Sequence, residues 1–235
     1  MHRYLLIMLL FVLSSFQISV LSLTDMHVMK AAEGQLDIYI AKIPPGEASS
    51  YGFRQEDDME LLVVGKPYRF IEFNADFYDN ELAEDRNCVV IKNEWRVPVS
   101  FKGTNRVMLT VRGNSSNYAV TAMGDTMLAK ELERKSAGLN DSDEYYLLRV
   151  PGLSAVFFGH ESTNSFSDAE FIPLASAISA IATLHNTHKD FYTLYEVQAM
   201  VKEEFAKRTK KEPVNGQTKA NELNKKTKSN TSKNH

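Results

Sequence analysis

The residues best equipped for chemistry follow one predicted strand. Gly159-His160-Glu161-Ser162 sets a base, an acid and a hydroxyl side by side, the group types that acid–base or nucleophilic hydrolysis employs. Their spacing works against them. Successive side chains of an extended chain point to opposite sides, so three neighbours rarely converge on one substrate atom. A hydrolase built on His160 and Glu161 would need further groups from elsewhere in the chain. No Gly-x-Ser-x-Gly elbow, phosphate-cradling glycine loop or dinucleotide fingerprint occurs. Cys88 lacks the local signature of a cysteine nucleophile.

Metal chemistry has weaker footing still. His185 and His188 stand three apart, one face of a helix, with Asp190 as the nearest third ligand. Two ligands without a defined third do not make a zinc site. Histidines are in any case favoured at a helix C-terminus, where this pair falls. Two acidic clusters, Glu56-Asp57-Asp58-Met59-Glu60 and the stretch from Asp76 to Asp85, read as solvated loops. The second lacks the Asp-x-Asp-x-Asp-Gly spacing of a calcium loop. The expectation is a non-catalytic chain with no catalytic residue, no metal and no cofactor.

Binding is then the function to look for. Tyr68, Phe70, Phe73, Phe77 and Tyr78 make an aromatic-rich stretch. Most of it reads as core, since aromatics are enriched in strands. Exposed at Phe77-Tyr78, such side chains would mark a contact surface for a partner.

The N-terminus carries an address. Met1-His2-Arg3-Tyr4 is a short basic start, Leu5 to Leu13 is an unbroken apolar run, and Ser22 is a small residue suited to cleavage. Residues 1–22 therefore read as a secretory signal peptide. The stretch to Leu21 contains Ser14, Ser15, Gln17 and Ser19 and falls short of the roughly 20 apolar residues of a membrane span. Left uncleaved, it would make the chain a membrane-tethered assembly factor. Removed, it leaves no membrane span. Cys88 is the only cysteine, so no intrachain disulfide forms and stability must come from a core, which leans towards a bacterial periplasm or secreted fraction. A buried inert thiol is its expected state. Three Asn-x-Ser/Thr triplets begin at Asn114, Asn140 and Asn230 and would matter only on a eukaryotic secretory route.

Charge divides the chain sharply. Residues 23–206 hold 17 Lys/Arg against 28 Asp/Glu, whereas 207–235 hold nine against two. The near-neutral total conceals an acidic body with a basic tail. That tail has too few apolar residues to offset ordering entropy and is expected to be disordered. It could touch an anionic surface electrostatically. It has no aromatic to stack on bases, so nucleic acid is not the expected partner; a protein or an envelope component fits better.

The elements that would position all this are α+β. Trp95, Val97, Val99 and Phe101 alternate with polar positions, as do Val107, Leu109 and Val111, then Tyr118, Val120 and Ala122. Turn residues separate them, which gives an antiparallel β-meander. Pro98 cannot donate to a ladder and marks its strand as an edge or a bulge. A helix capped by Asp125 and ended by Gly138 as its C′ residue should pack on one face of the meander. Leu36–Ile40, Leu61–Val64, Tyr68–Phe73, Tyr145–Val150 and Ala155–Phe158 read as further strands. Two C-terminal helices follow, Pro173 to Asn186 and one opened by the capping box Thr193-Leu194-Tyr195-Glu196. Residues 23–206 are expected to form a single domain, with a possible sub-boundary at 138–144.

Overall fold

The computed structural model describes residues 22–54, 57–74, 77, 88–114, 117–140, 143–161, 168–186 and 189–211. All of the signal-peptide reading of 1–22 except Ser22, the tail beyond 211, Ser162, His188 and all or part of each glycosylation triplet lie outside these residues.

The chain is α+β, built on one large, mostly antiparallel sheet. Its strands are β1 (Leu62–Val64), β2 (Tyr68–Phe73), β3 (Val89–Phe101), β4 (Thr104–Asn114), β5 (Asn117–Gly124), β6 (Glu144–Val150), β7 (Ala155–Glu161), β8 (Glu170–Pro173) and β9 (Tyr192–Thr193). They run in the order β5-β4-β3-β2-β6-β7-β8-β9, with β1 beside β3. The meander β3-β4-β5 follows the sequence alternation. The β2–β6 pair is parallel and joins the two halves of the chain across residues 138–144.

Pro98 does not mark an edge. β3 is flanked by β4 on one side and by β1 and β2 on the other. Its carbonyl accepts the Gly65 N–H at 2.8 Å. In an antiparallel ladder the N–H and C=O of one residue face the same neighbour. The missing N–H therefore falls where β1 has ended and β2 has not begun, so no ladder bond is lost. The register shift anticipated near it occurs one residue on, between Val99 and Ser100.

Among the described residues four α-helices flank the sheet: α1 (Leu23–Ile40), α2 (Thr126–Ser136), α3 (Ala175–Ala180) and α4 (Leu194–Lys211). The strand expected at Leu36–Ile40 is instead the last turn and a half of α1. Its five-residue alternation was coincidental with a longer helical stripe, Val28, Ala32 and Leu36, which is buried against Trp95, Val97, Val99 and Leu109. Alternation would have buried Ile38, which is 55% exposed. α1 also protects the edge strand β5. Gln35 Oε1 accepts the Val120 N–H at 3.2 Å and the Tyr39 hydroxyl donates to the Val120 carbonyl at 2.7 Å, using polar groups that an exposed edge would leave open.

Ser22 starts α1. Its hydroxyl accepts the Asp25 N–H at 3.1 Å, so Ser22→Ala should cost about 1 kcal/mol. Urea denaturation of material whose sequenced N-terminus retains Ser22 measures this; an unchanged midpoint would contradict the cap.

α2 packs on the opposite face, over Met108, Tyr68, Phe158 and Leu147. Asp125 precedes it in a left-handed conformation and makes no side-chain cap bond, contrary to the capping role expected of it. Gly138, with φ +87°, turns the chain after it as expected. The helix expected over Pro173–Asn186 is broken. Pro173 ends β8, α3 covers only Ala175–Ala180, Ile181 is extended, and a 3₁₀ turn spans Ala182–Asn186. Side chains from other helices tie its ends: Glu131 of α2 accepts the Ala175 N–H at 2.7 Å, and Arg208 of α4 donates to the Ala180 carbonyl at 2.8 Å. The capping box of α4 forms in both directions, with Thr193 N–H to Glu196 at 2.9 Å and Glu196 N–H to Thr193 Oγ1 at 3.3 Å. α4 continues through Lys211, so the first residues assigned to the tail, 207–211, are helical.

Candidate anion-binding face

His160 and Glu161 leave β7 on opposite faces. His160 shares a face with Tyr145, its cross-strand partner. Its Nδ1 lies 3.6 Å from Asp143 Oδ2 and its Nε2 3.3 Å from Glu170 Oε2. The rings of Phe158 and Phe191 stand beside it. Glu161 turns the other way and accepts the Tyr146 hydroxyl at 3.3 Å; the same hydroxyl donates to Glu144. Burial and the two carboxylates push the Tyr146 phenol far above its usual range. The structure thus separates the two groups that a His160/Glu161 site would need together.

The other candidates disperse as well. His185 is exposed on the 3₁₀ turn and Asp190 is exposed beyond it. Among the described residues no group of three or more His, Cys, Asp or Glu side chains is placed to hold a metal. Cys88 is buried, and Gln198 Nε2 donates to its Sγ at 2.7 Å. Phe77 is buried and stacks on Phe73 with centroids 4.1 Å apart. The contact loop expected at Phe77-Tyr78 is therefore core at Phe77, and Tyr78 lies outside the described residues. The cluster expected to be solvated at 56–60 is not uniformly so: Asp57 is buried against Arg106.

The sheet itself carries the most concentrated charge. β3 contributes Lys92, Asn93 and Glu94 where β2 contributes only Phe70, because the register shifts between Arg69 and Ile71. Lys92, Glu94 and Arg96 then project to the α2 side, beyond the helix. Arg112 of β4 stands opposite Glu94, and Arg149 of β6 stands beside Glu72 of β2. Arg112 Nε donates to Glu94 Oε2 at 2.9 Å. Glu94 also faces Arg96 Nη1 at 3.8 Å and Arg149 Nη1 at 3.9 Å. Glu72 takes Lys92 Nζ at 2.9 Å and pairs with Arg149. The Arg96 and Arg149 guanidiniums rest over the Phe70 ring at 5.3 and 4.8 Å, an orientation with favourable cation–π energy.

Four cations thus share two carboxylates across four strands, a surplus of two positive charges on an otherwise acidic body. Arg112 is 60% exposed and Lys92 and Arg149 are more than a third exposed. Arg96 Nε is buried without a hydrogen-bond partner among the described residues, and burial lowers the pKa of its guanidinium. The strip can accept anionic groups spaced along an extended partner. Arg96 and Arg112 were legible as outward positions of the meander. Glu72 and Arg149 join them only through the parallel β2–β6 pairing, which leaves no local sequence signal.

Partial burial alone would raise the Glu72 carboxyl. The hydrogen bonds from Lys92 and Arg149 outweigh it and hold the group below its usual range. A carboxyl lowered on folding stabilises the folded state above its unfolded pKa of about 4.3, and that contribution disappears as pH falls through the folded value. The stability advantage of the native chain over Glu72→Gln should therefore shrink below about pH 4.3. Parallel stability–pH curves from urea denaturation would contradict the pairing.

The chain matches no protein-family model, no curated protein and no solved structure.

Proposed function

We propose that this is an exported, non-catalytic binding protein that engages a protein or an envelope component through anionic groups laid along the strip Lys92, Glu94, Arg96, Arg112, Glu72 and Arg149. The observation that carries this reading is the surplus of cations over carboxylates on rigid strands of an acidic body. Fixed charges of this kind steer a complementary partner and set its register. In the arrangement we infer, a helix crosses one face of the meander, two helices close the C-terminal end, and the strip stays open between them. The lysine-rich segment past α4 adds a weaker electrostatic contact.

The opposite directions of His160 and Glu161 favour binding over hydrolysis. Among the described residues no helix is long and apolar enough to cross a membrane; the membrane-tethered alternative draws on the apolar run Leu5–Leu13. The test is retention of the full chain on immobilised polyglutamate at low salt. Lys92→Gln/Arg112→Gln should lose most of it, and deletion of 213–235 should lose less. Retention unaffected by the double substitution would sink the proposal.

A further inference from the structure

One stretch of β3 has a neighbouring strand on one side only. β3 pairs with β4 from Glu94 to Phe101, whereas from Val89 to Ile91 it pairs with β2 alone among the described residues. Two bonds fix where its backbone groups point. Gly65 N–H donates to the Pro98 carbonyl and Asn74 N–H to the Cys88 carbonyl, both at 2.8 Å. Even-numbered residues of β3 therefore turn their N–H and C=O towards β1 and β2, and odd-numbered residues turn theirs towards the β4 row. β4 ends at Asn114, so the N–H and C=O of Val89 and Ile91 have no ladder partner among the described residues.

The side chains suit an added strand. Val90 is 45% and Ile91 54% exposed, one on each face of the sheet. No charge, proline or glycine interrupts Val89-Val90-Ile91, although such residues are what usually blunts an edge. Charge then selects the partner. Lys92 continues the edge on the strip face, and Arg112 stands on β4, in the row that an added strand would extend; both are well exposed. The Ile91 face is apolar. An occupant with acidic side chains on the strip face and apolar ones on the Ile91 face has the two-residue period of a strand.

We propose that the edge Val89–Ile91 takes up an extended acidic–apolar segment of a partner protein as an antiparallel strand in line with β4. Its carboxylates lie on the strip face towards Lys92 and Arg112, and its β-branched side chains lie against Ile91. The inference rests on the strip as a binding surface and names the form of the partner: main-chain bonds supply affinity and the alternation of side chains supplies specificity. In an antiparallel pair the residue opposite Ile91 exchanges both bonds with it and shares its face. The N–H groups consumed are therefore those of the apolar residues.

The probe is a labelled peptide of three alternating valine–glutamate pairs, titrated with the full chain at low salt and read by fluorescence anisotropy. Saturable one-to-one binding is expected. Methylating the valine nitrogens should weaken it about tenfold or more, because those N–H groups face Ile91 and Val89. Methylating the glutamate nitrogens, which face away, should leave it unchanged. Ile91→Pro and Lys92→Gln/Arg112→Gln should each weaken it as valine methylation does. Ile91→Pro removes an N–H that no ladder bond among the described residues uses, and the methylated peptides test the same bonds without altering the chain. Equal affinity of all three peptides would overturn the added strand, and polyglutamate retention that still depends on Lys92 and Arg112 would leave the strip standing. Loss on glutamate methylation instead would reverse the strand direction and overturn the antiparallel assignment. Peptide binding indifferent to Lys92→Gln/Arg112→Gln would overturn the acidic character of the partner. Self-association of the chain that Ile91→Pro abolishes would give the edge to a second copy and overturn the proposal.

Discussion

Asp57→Ala is expected to lower the unfolding free energy by about 3–5 kcal/mol, the largest stability loss we foresee for a single substitution. The carboxyl is fully buried and Arg106 nearly so. Removing the acid leaves a guanidinium in the interior with no compensating charge, and it frees the Arg54 N–H that Asp57 Oδ2 now accepts. Arg106 cannot swing out to water easily, because Gly52 packs directly on its backbone. The cost belongs to the orphaned cation more than to the pair. Asp57→Ala/Arg106→Met should therefore recover much of the loss, since replacing both members of a buried pair by apolar groups is often close to neutral. Urea denaturation of the two variants separates these cases. A loss under about 1 kcal/mol for Asp57→Ala would mean that the pair is screened by solvent.

Lys92→Gln/Arg112→Gln is expected to act on binding and leave stability almost untouched. Both side chains are substantially exposed, and exposed ion pairs contribute about 0–1 kcal/mol each. Affinity for a polyanion should nevertheless fall about tenfold or more, a change of roughly 1.4 kcal/mol. The substitutions cancel the surplus of two positive charges and leave Arg96 and Arg149 balanced by Glu94 and Glu72, so the net attraction is lost. Raising salt should narrow the gap between native and variant chains, because screening acts on the charges that differ. Deleting 213–235 should shift affinity less, since its lysines are spread among polar residues rather than set on strands beside one another.

What the sequence disclosed depended on how local each signal was. The meander was legible because Trp95–Phe101 within β3 and Val107–Val111 within β4 alternate long enough to define a period. The capping box of α4 was legible for the same reason: both of its bonds lie within four residues. Leu36–Ile40 was misread because five residues satisfy a strand period and a helical stripe almost equally well, and the deciding residues, Val28 and Ala32, stand further back. β8 and β9 are four and two residues long, below the length at which periodicity means anything. Pro98 misled only as to an edge, because its missing donor is excused by a gap between β1 and β2, a tertiary circumstance; the register shift does occur beside it, between Val99 and Ser100. The charged groupings were hidden for a related reason. The strip needs Glu72 and Arg149 from strands 77 residues apart, and Arg106 meets Asp57 through a bulge that puts it one step out of the alternation around it.

The most direct measurement is the salt-dependent affinity of the full chain for polyglutamate, compared with Lys92→Gln/Arg112→Gln under the same conditions. The account predicts binding at low salt that the double substitution weakens about tenfold or more while the unfolding free energy from urea denaturation stays within about 0.5 kcal/mol of native. Equal affinity of the two chains across the salt series would contradict it.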